Sequence, residues 1–290
     1  MSHSKIILGT VQFGLNYGIN NTSGVPATED VFEIINYAYN HGIKVLDTAD
    51  AYGNACEVIG KYNAVYPGRL LINTKFKLND LPVRVQLGRS LIKLHTDHIN
   101  VYFFHSFKDF VNIDMEQKDL EAFKTTGTIN KVGLSVYDNE ELRTAIESDK
   151  IEVIQFPFNL LDNRSQRADL MKYAKEKGKE LQCRSVFLQG LFFKSPDNLP
   201  PLLTPLRPYL KMIDDLSKEA DISIETLAFS YAMNQPEIDY VVIGVDNLIQ
   251  LETNLQIAHY SIDPVIIDII NRIHVQEVEL LYPKNWAQIE

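Results

Sequence analysis

Cysteine is nearly missing from this chain: Cys56 and Cys183 are the only two in 290 residues. Neither has a metal-ligand spacing around it, and two thiols make no disulfide framework at this length, so a reducing compartment is expected. Basic stripes are missing too. Lys and Arg number 28 against 38 Asp and Glu, a formal net charge of −10, which argues against nucleic acid or an anionic membrane surface as partner. No apolar run approaches the roughly 20 residues a membrane-spanning helix needs. Met1-Ser2-His3-Ser4-Lys5 leads straight into strand-like sequence, without the apolar core of a signal peptide. The expectation is a cytoplasmic protein with neither membrane nor nucleic acid among its partners and with its oligomeric state left open. No early glycine-rich phosphate turn occurs, which counts against an open doubly wound sheet. No repeat, low-complexity tract or linker divides the chain, so residues 1–290 read as one domain.

What is present is alternation. Strand-like apolar runs lie near 43–48, 70–76, 99–105, 131–136, 152–158, 180–186 and 240–245. Helical spacing follows Ala27-Thr28-Glu29-Asp30, with Val31, Ile34, Ile35 and Ala38 on one face and Gly42 as the stop. Further helices read near 54–64, 82–95, 115–126, 138–148, 164–177, 209–234 (as two) and 247–257, and a last one carries Val265 and Ile269. Near-continuously apolar strands between helices are parallel strands covered on both faces. Seven clear units and a weak eighth strand at 258–262 predict an α/β fold, a closed (β/α)₈ TIM barrel. Gly9, Gly14 and Gly18 among β-formers predict a short N-terminal β-hairpin over residues 5–19. The stretch 194–208, with five prolines, reads as a lid over the barrel mouth.

Three strand ends carry chemistry. Val45-Leu46-Asp47 gives way to a loop holding Tyr52 and Gly53, one strand closes on Lys75, and another closes on His105. In a barrel these ends converge on one mouth. A phenol near pKa 10 donates poorly at neutral pH unless a cation steadies the phenolate. Lys75 can supply that charge, Asp47 can orient Lys75, and His105 can donate to a substrate oxygen. Such a set polarises a carbonyl and protonates the developing alkoxide, with the hydride coming from a cofactor.

With those residues in view, the chain resembles the aldo-keto reductases. The family's Asp–Tyr–Lys–His set matches Asp47, Tyr52, Lys75 and His105. Also matching are Ser90-Leu91-Ile92-Lys93-Leu94, Gly133-Leu134-Ser135, Gln155 with Pro157-Phe158-Asn159, and a helix ending in Asn254, in order from about residue 5 to 275. The resemblance implies a (β/α)₈ barrel, a small-molecule aldehyde or ketone substrate, and an extended nicotinamide dinucleotide. It implies that Ser135 and Gln155 hold the nicotinamide carboxamide, and that Gly244, Asp246, Gln250 and Asn254 belong to the cofactor site.

Three positions depart from the pattern. Val136 follows Ser135 where Asn is common. Arg184 replaces a Tyr that often stacks on the nicotinamide, a role a planar guanidinium can also fill. After the strand at 240–245, no basic residue occurs through Asn254, and Gln250 stands where an Arg often pairs with a 2′-phosphate. Asp246 there suits a free 2′-hydroxyl. The resemblance favours NADP(H) by a narrow margin, through helix-terminal amides, with NAD(H) as the alternative. Two other functions stay open: a non-catalytic regulatory subunit on the same fold, and a lyase using Lys75 as a Schiff-base nucleophile. The tail Tyr282-Pro283-Lys284-Asn285-Trp286 holds the only tryptophan, which either lines the pocket or pins the tail.

Overall fold

The computed structural model describes residues 4–112 and 116–286. Its eight parallel strands are β1 Ile6–Gly9, β2 Val45–Asp47, β3 Leu71–Phe76, β4 Ile99–Phe104, β5 Ile129–Ser135, β6 Val153–Pro157, β7 Glu180–Arg184 and β8 Tyr240–Gly244. They close in chain order, with β1 pairing β8. The surrounding helices are α1 Thr28–Asn40, α2 Ala55–Val65, α3 Val83–Leu94, α4 Phe107–Val111, α5 Glu116–Thr125, α6 Asn139–Glu147, α7 Arg164–Glu176, α8 Arg207–Glu219, α9 Ile224–Met233, α10 Leu248–Ile257 and α11 Pro264–Asn271. The expected start of α5 at residue 115 lies outside the described residues, as do residues 1–3.

Two expectations are corrected. Residues 6–9 form no hairpin but the first barrel strand, parallel to both β2 and β8. The reason is burial: Ile6, Ile7 and Leu8 are all enclosed, as suits a strand covered on both faces. Residues 258–262 are not a strand, because β1 takes the eighth position in the ladder. The proline-rich excursion is not a free loop either. A 3-10 turn spans Pro201–Leu206, and Leu203 and Leu206 are fully buried against the core.

The helices begin as their sequences direct. Asp138 accepts from the amides of Glu140 and Glu141, and Glu141 Oε2 accepts in return from the Tyr137 amide at 2.6 Å, a reciprocal cap on α6. Asn163, Ser223, Asn247 and Asp263 cap α7, α9, α10 and α11. The helix α1 starts at Thr28, and its cap position, Ala27, makes no side-chain hydrogen bond. No helix among the described residues is long and apolar enough to cross a membrane.

The main core lies between barrel and helices, and a separate apolar cluster of Val101, Phe103 and Val153 fills part of the lumen. Gly133 faces that cluster from β5. A Cβ there would lie 2.4 Å from carbons of the Phe103 ring, so the aromatic ring needs a glycine opposite. Gly133→Ala is therefore expected to destabilise the barrel by about 1–3 kcal/mol through overpacking. Urea unfolding measures this, and an unchanged midpoint would show that the Phe103 ring can move aside.

Candidate active site

Parallel closure puts every strand's C-terminal end at one mouth. Asp47 ends β2, Lys75 is next to last in β3, and His105 follows β4 directly. Tyr52 stands in the turn before α2, held by close backbone packing. A Cβ on Gly14 would come within 2.0 Å of the Tyr52 carbonyl oxygen, and one on Gly53 within 2.2 Å of the Gly14 oxygen. Gly53 also has φ +55°, the left-handed region. Two glycines thus let the β1 loop press onto the Tyr52 turn and fix where the phenol points.

The four expected residues come together. Lys75 Nζ donates to Asp47 Oδ2 and, at 3.2 Å, to the Thr48 carbonyl, with both charged side chains almost wholly enclosed. Asp47 Oδ1 accepts from Gln155 Nε2 at 2.9 Å. Burial pulls the Lys75 ammonium below its ordinary value, and the Asp47 carboxylate opposes that pull. Lys75 Nζ lies 5.4 Å from the centre of the Tyr52 ring. Burial, then the Asp47 charge, pushes the Tyr52 phenol well above 10, while the Arg184 cation draws it back. The Tyr52 and His105 rings meet edge to face, with centres 6.1 Å apart. Burial and the nearby cations Lys75, Lys77 and Arg184 push His105 from 6.5 down to about 3. The imidazole is neutral at physiological pH, and its enclosed Nδ1 has no partner among the described residues.

The expected cofactor residues divide into two groups. Ser135, the last residue of β5, and Gln155, in the middle of β6, pair in register and are both buried. Arg184 ends β7 beside them. Its guanidinium donates to the Val136 carbonyl at 3.1 Å and to Ser185 Oγ at 3.2 Å, and its Cζ sits 4.3 Å from the Tyr137 ring centre. In this structure the aromatic partner of Arg184 is therefore Tyr137. The second group lies past β8. Asp246 accepts from Asn21 Nδ2 and Gln250 Nε2, each at 3.2 Å, and Asn247 caps α10 by accepting from the Gln250 amide at 3.0 Å. Asn254 is buried farther along that helix, and Gly244 ends β8 against Gln12.

Sequence reading missed Gln12, Tyr17, Tyr137 and Gln182. Gln12 follows β1, which had been taken for a hairpin arm. Its enclosed Oε1 has no partner among the described residues, and a Cβ on Gly244 would lie 2.3 Å from it. The Tyr17 hydroxyl accepts from Gln189 Nε2 at 2.6 Å, and burial pushes its pKa up to about 12. Tyr137 is held by Arg167, which is buried with Asp162, donating to Asp162 at 2.7 and 2.8 Å and to the Tyr137 carbonyl at 2.6 Å. Lys284 Nζ lies 3.9 Å from the centre of the Tyr137 ring. Trp286 pins the tail: it is buried and donates to the Leu280 carbonyl at 2.9 Å.

A closed parallel barrel thus gathers a buried Lys–Asp pair, a phenol and a neutral imidazole at the strand ends where barrel enzymes keep their active sites. The family model for the aldo/keto reductase family matches residues 5–274. The chain belongs to that family, and is thereby an oxidoreductase of carbonyl compounds that depends on a nicotinamide cofactor. It is 26% identical to the aldo-keto reductase YhdN of Bacillus subtilis, over 90% of this chain and 86% of that one. It is 25% identical to D-arabinose 1-dehydrogenase of Saccharomyces cerevisiae, over 90% and 84%. In fold it is similar to the aldo-keto reductase AKR11C1 from Bacillus halodurans in its holo form, with a TM-score of 0.75, 19% identity and 94% of each chain covered.

The lowered pKa of His105 has a measurable consequence. The unfolded chain takes up a proton near pH 6.5 that the folded ring refuses until about pH 3. Stability from this group is thus complete above pH 6.5 and falls as pH drops toward 3. His105→Gln is expected to remove up to about one proton from the slope of unfolding free energy against pH, between about pH 4 and pH 6. An unaltered slope would mean that the ring titrates normally in the folded protein.

Proposed function

We propose that Tyr52 is the general acid of the carbonyl reduction, with Lys75, Asp47 and His105 as its supports. The observation that carries this reading is the convergence of an enclosed Lys75–Asp47 pair, the Tyr52 phenol and a neutral His105 at one mouth. His105 keeps an N–H to donate and has no tendency to give up that proton, so it orients the substrate oxygen. Tyr52 delivers the proton to that oxygen as it gains charge. The phenolate left behind faces the cations of Lys75 and Arg184, and regains a proton from solvent. Asp47 keeps Lys75 charged and fixed in place. These engaged donors argue against Lys75 as a Schiff-base nucleophile, and the intact set argues against a purely regulatory subunit.

The residues at the mouth fit a nicotinamide dinucleotide. Gln12 Oε1 is enclosed at the mouth without a partner among the described residues, and Gly244 makes room for that Gln12 amide, which a Cβ would meet at 2.3 Å. When bound, the cofactor supplies the hydride that the carbonyl carbon receives. Ser135 and Gln155 would hold its carboxamide, Arg184 would stack on the nicotinamide, and Asp246, Gln250 and Asn254 would receive the adenosine end. NADP(H) keeps its narrow family preference through the amides at the α10 N-terminus. NAD(H) is the alternative, which the Asp246 carboxylate and the neutral Gln250 favour.

The substrate in this reading is a small sugar-like aldehyde or ketone. A relative named D-arabinose 1-dehydrogenase supports it. Cytoplasmic residence belongs to the same reading, supported by two free, buried cysteines. Tyr52→Phe removes one hydroxyl and nothing else. Carbonyl turnover should fall by about 10² or more, with cofactor affinity nearly unchanged. Retention of more than about a tenth of the activity would assign the proton to another group.

A further inference from the structure

The Lys75–Asp47 pair is the top of a hydrogen-bonded column that descends inside the barrel. Asp47 Oδ1 accepts from Gln155 Nε2 at 2.9 Å, and the same Nε2 donates to Gln182 Oε1 at 3.3 Å. Gln182 Nε2 donates to Glu180 Oε1 at 2.9 Å, and Glu180 Oε2 is paired with Lys131 Nζ at 2.6 Å. Gln155 and Gln182 are register partners on β6 and β7, each about 1% exposed. Asp47 stands on β2, so its contact with Gln155 crosses the lumen rather than following the sheet.

The column has a direction. A carboxylate only accepts. Glu180 turns the Gln182 NH₂ group toward itself, so the opposite end of that amide, its oxygen, is the atom that faces Gln155 at 3.3 Å. Since Asp47 also accepts, Gln155 must present its NH₂ group to both neighbours. Its two N–H bonds are then used, and its carbonyl oxygen is left without a role in the column. An apolar layer is the ordinary filling of such a lumen, and two buried amides are tolerated only when hydrogen-bonded.

We propose that Gln182 is a positioning residue: it holds the Gln155 amide so that its NH₂ stays on Asp47 and its oxygen stays free for a ligand at the mouth. This rests on the reading of Tyr52, Lys75 and Asp47 given above. Without Gln182 the Gln155 amide rotates, and Asp47 loses a steady donor. Its charge is then less neutralised beside Tyr52, which makes the phenol a weaker acid.

Gln182→Met keeps the length of the side chain and removes both hydrogen bonds. Two measurements on the full chain test it. In aldehyde reduction with NADPH or NADH, kcat should fall about tenfold, and the alkaline limb of its pH profile should move to higher pH. In urea unfolding, Gln182→Met and Asp47→Asn should be non-additive, the double variant losing less than the two losses summed. A merely structural Gln182 would lower stability while leaving the limb in place. If Asp47→Asn does not fold, Glu180→Gln replaces it: this variant lets Gln182 flip and should move the limb the same way, by less. Additive losses, or an unmoved limb with unchanged kcat, overturn the proposal. If the wild-type protein turns over no carbonyl and the losses are non-additive, the column stands and the reading of Tyr52 as general acid falls.

Discussion

An ammonium and a carboxylate are held out of water in contact at the centre of this molecule. Removing either charge from solvent costs several kcal/mol, and their attraction repays that only with good geometry and further hydrogen bonds. Lys75 has the Thr48 carbonyl as a second acceptor, and Asp47 has the Gln155 amide as a second donor. Each of those groups is fixed by a different strand or its end. The pair therefore exists only when β2, β3 and β6 are closed into one ring, and the ring in turn presents Tyr52 and His105 to it. Breaking one partner would leave an uncompensated buried charge, so the site and the barrel are expected to fail together.

The rim above the pair is built from parts distant in sequence. Arg167, buried with Asp162, holds the Tyr137 carbonyl, and Tyr137 in turn takes the Arg184 guanidinium on its ring. Lys284, in a tail pinned by Trp286, approaches the same ring. Two cations of this rim, Arg184 and Lys284, thus rest against aromatic faces and a carbonyl. Such cations remain available to a ligand, whereas Lys75 is fully committed to Asp47 and Thr48.

Much of this was legible in the residues. Strand and helix periods alternate clearly from residue 27 onward, and three strand ends announce Asp47, Lys75 and His105 because a charged residue closing an apolar run is conspicuous. β1 was obscured because it is only four residues long and is followed by glycines that resemble a turn. Those glycines answer instead to close packing, as Gly14 does against the Tyr52 turn. With β1 unrecognised, the eighth strand was sought at 258–262, and Gln12 went unnoticed beside it. The lumen column was out of reach for another reason. Gln155 with Gln182, and either with Asp47, meet only through the register and curvature of the closed barrel, which no local pattern encodes.

The central claim is that this mouth binds a nicotinamide dinucleotide so that the Tyr52 proton and a hydride reach one carbonyl. Titration of the purified wild-type chain with NADPH, and separately with NADH, following fluorescence, tests it most directly. Saturable binding of at least one of the two is expected, tightest for the one whose adenosine end suits Asp246 and the α10 N-terminus. No binding of either at millimolar concentration would contradict it, and would leave the Lys75–Asp47 pair as a structural element of the barrel alone.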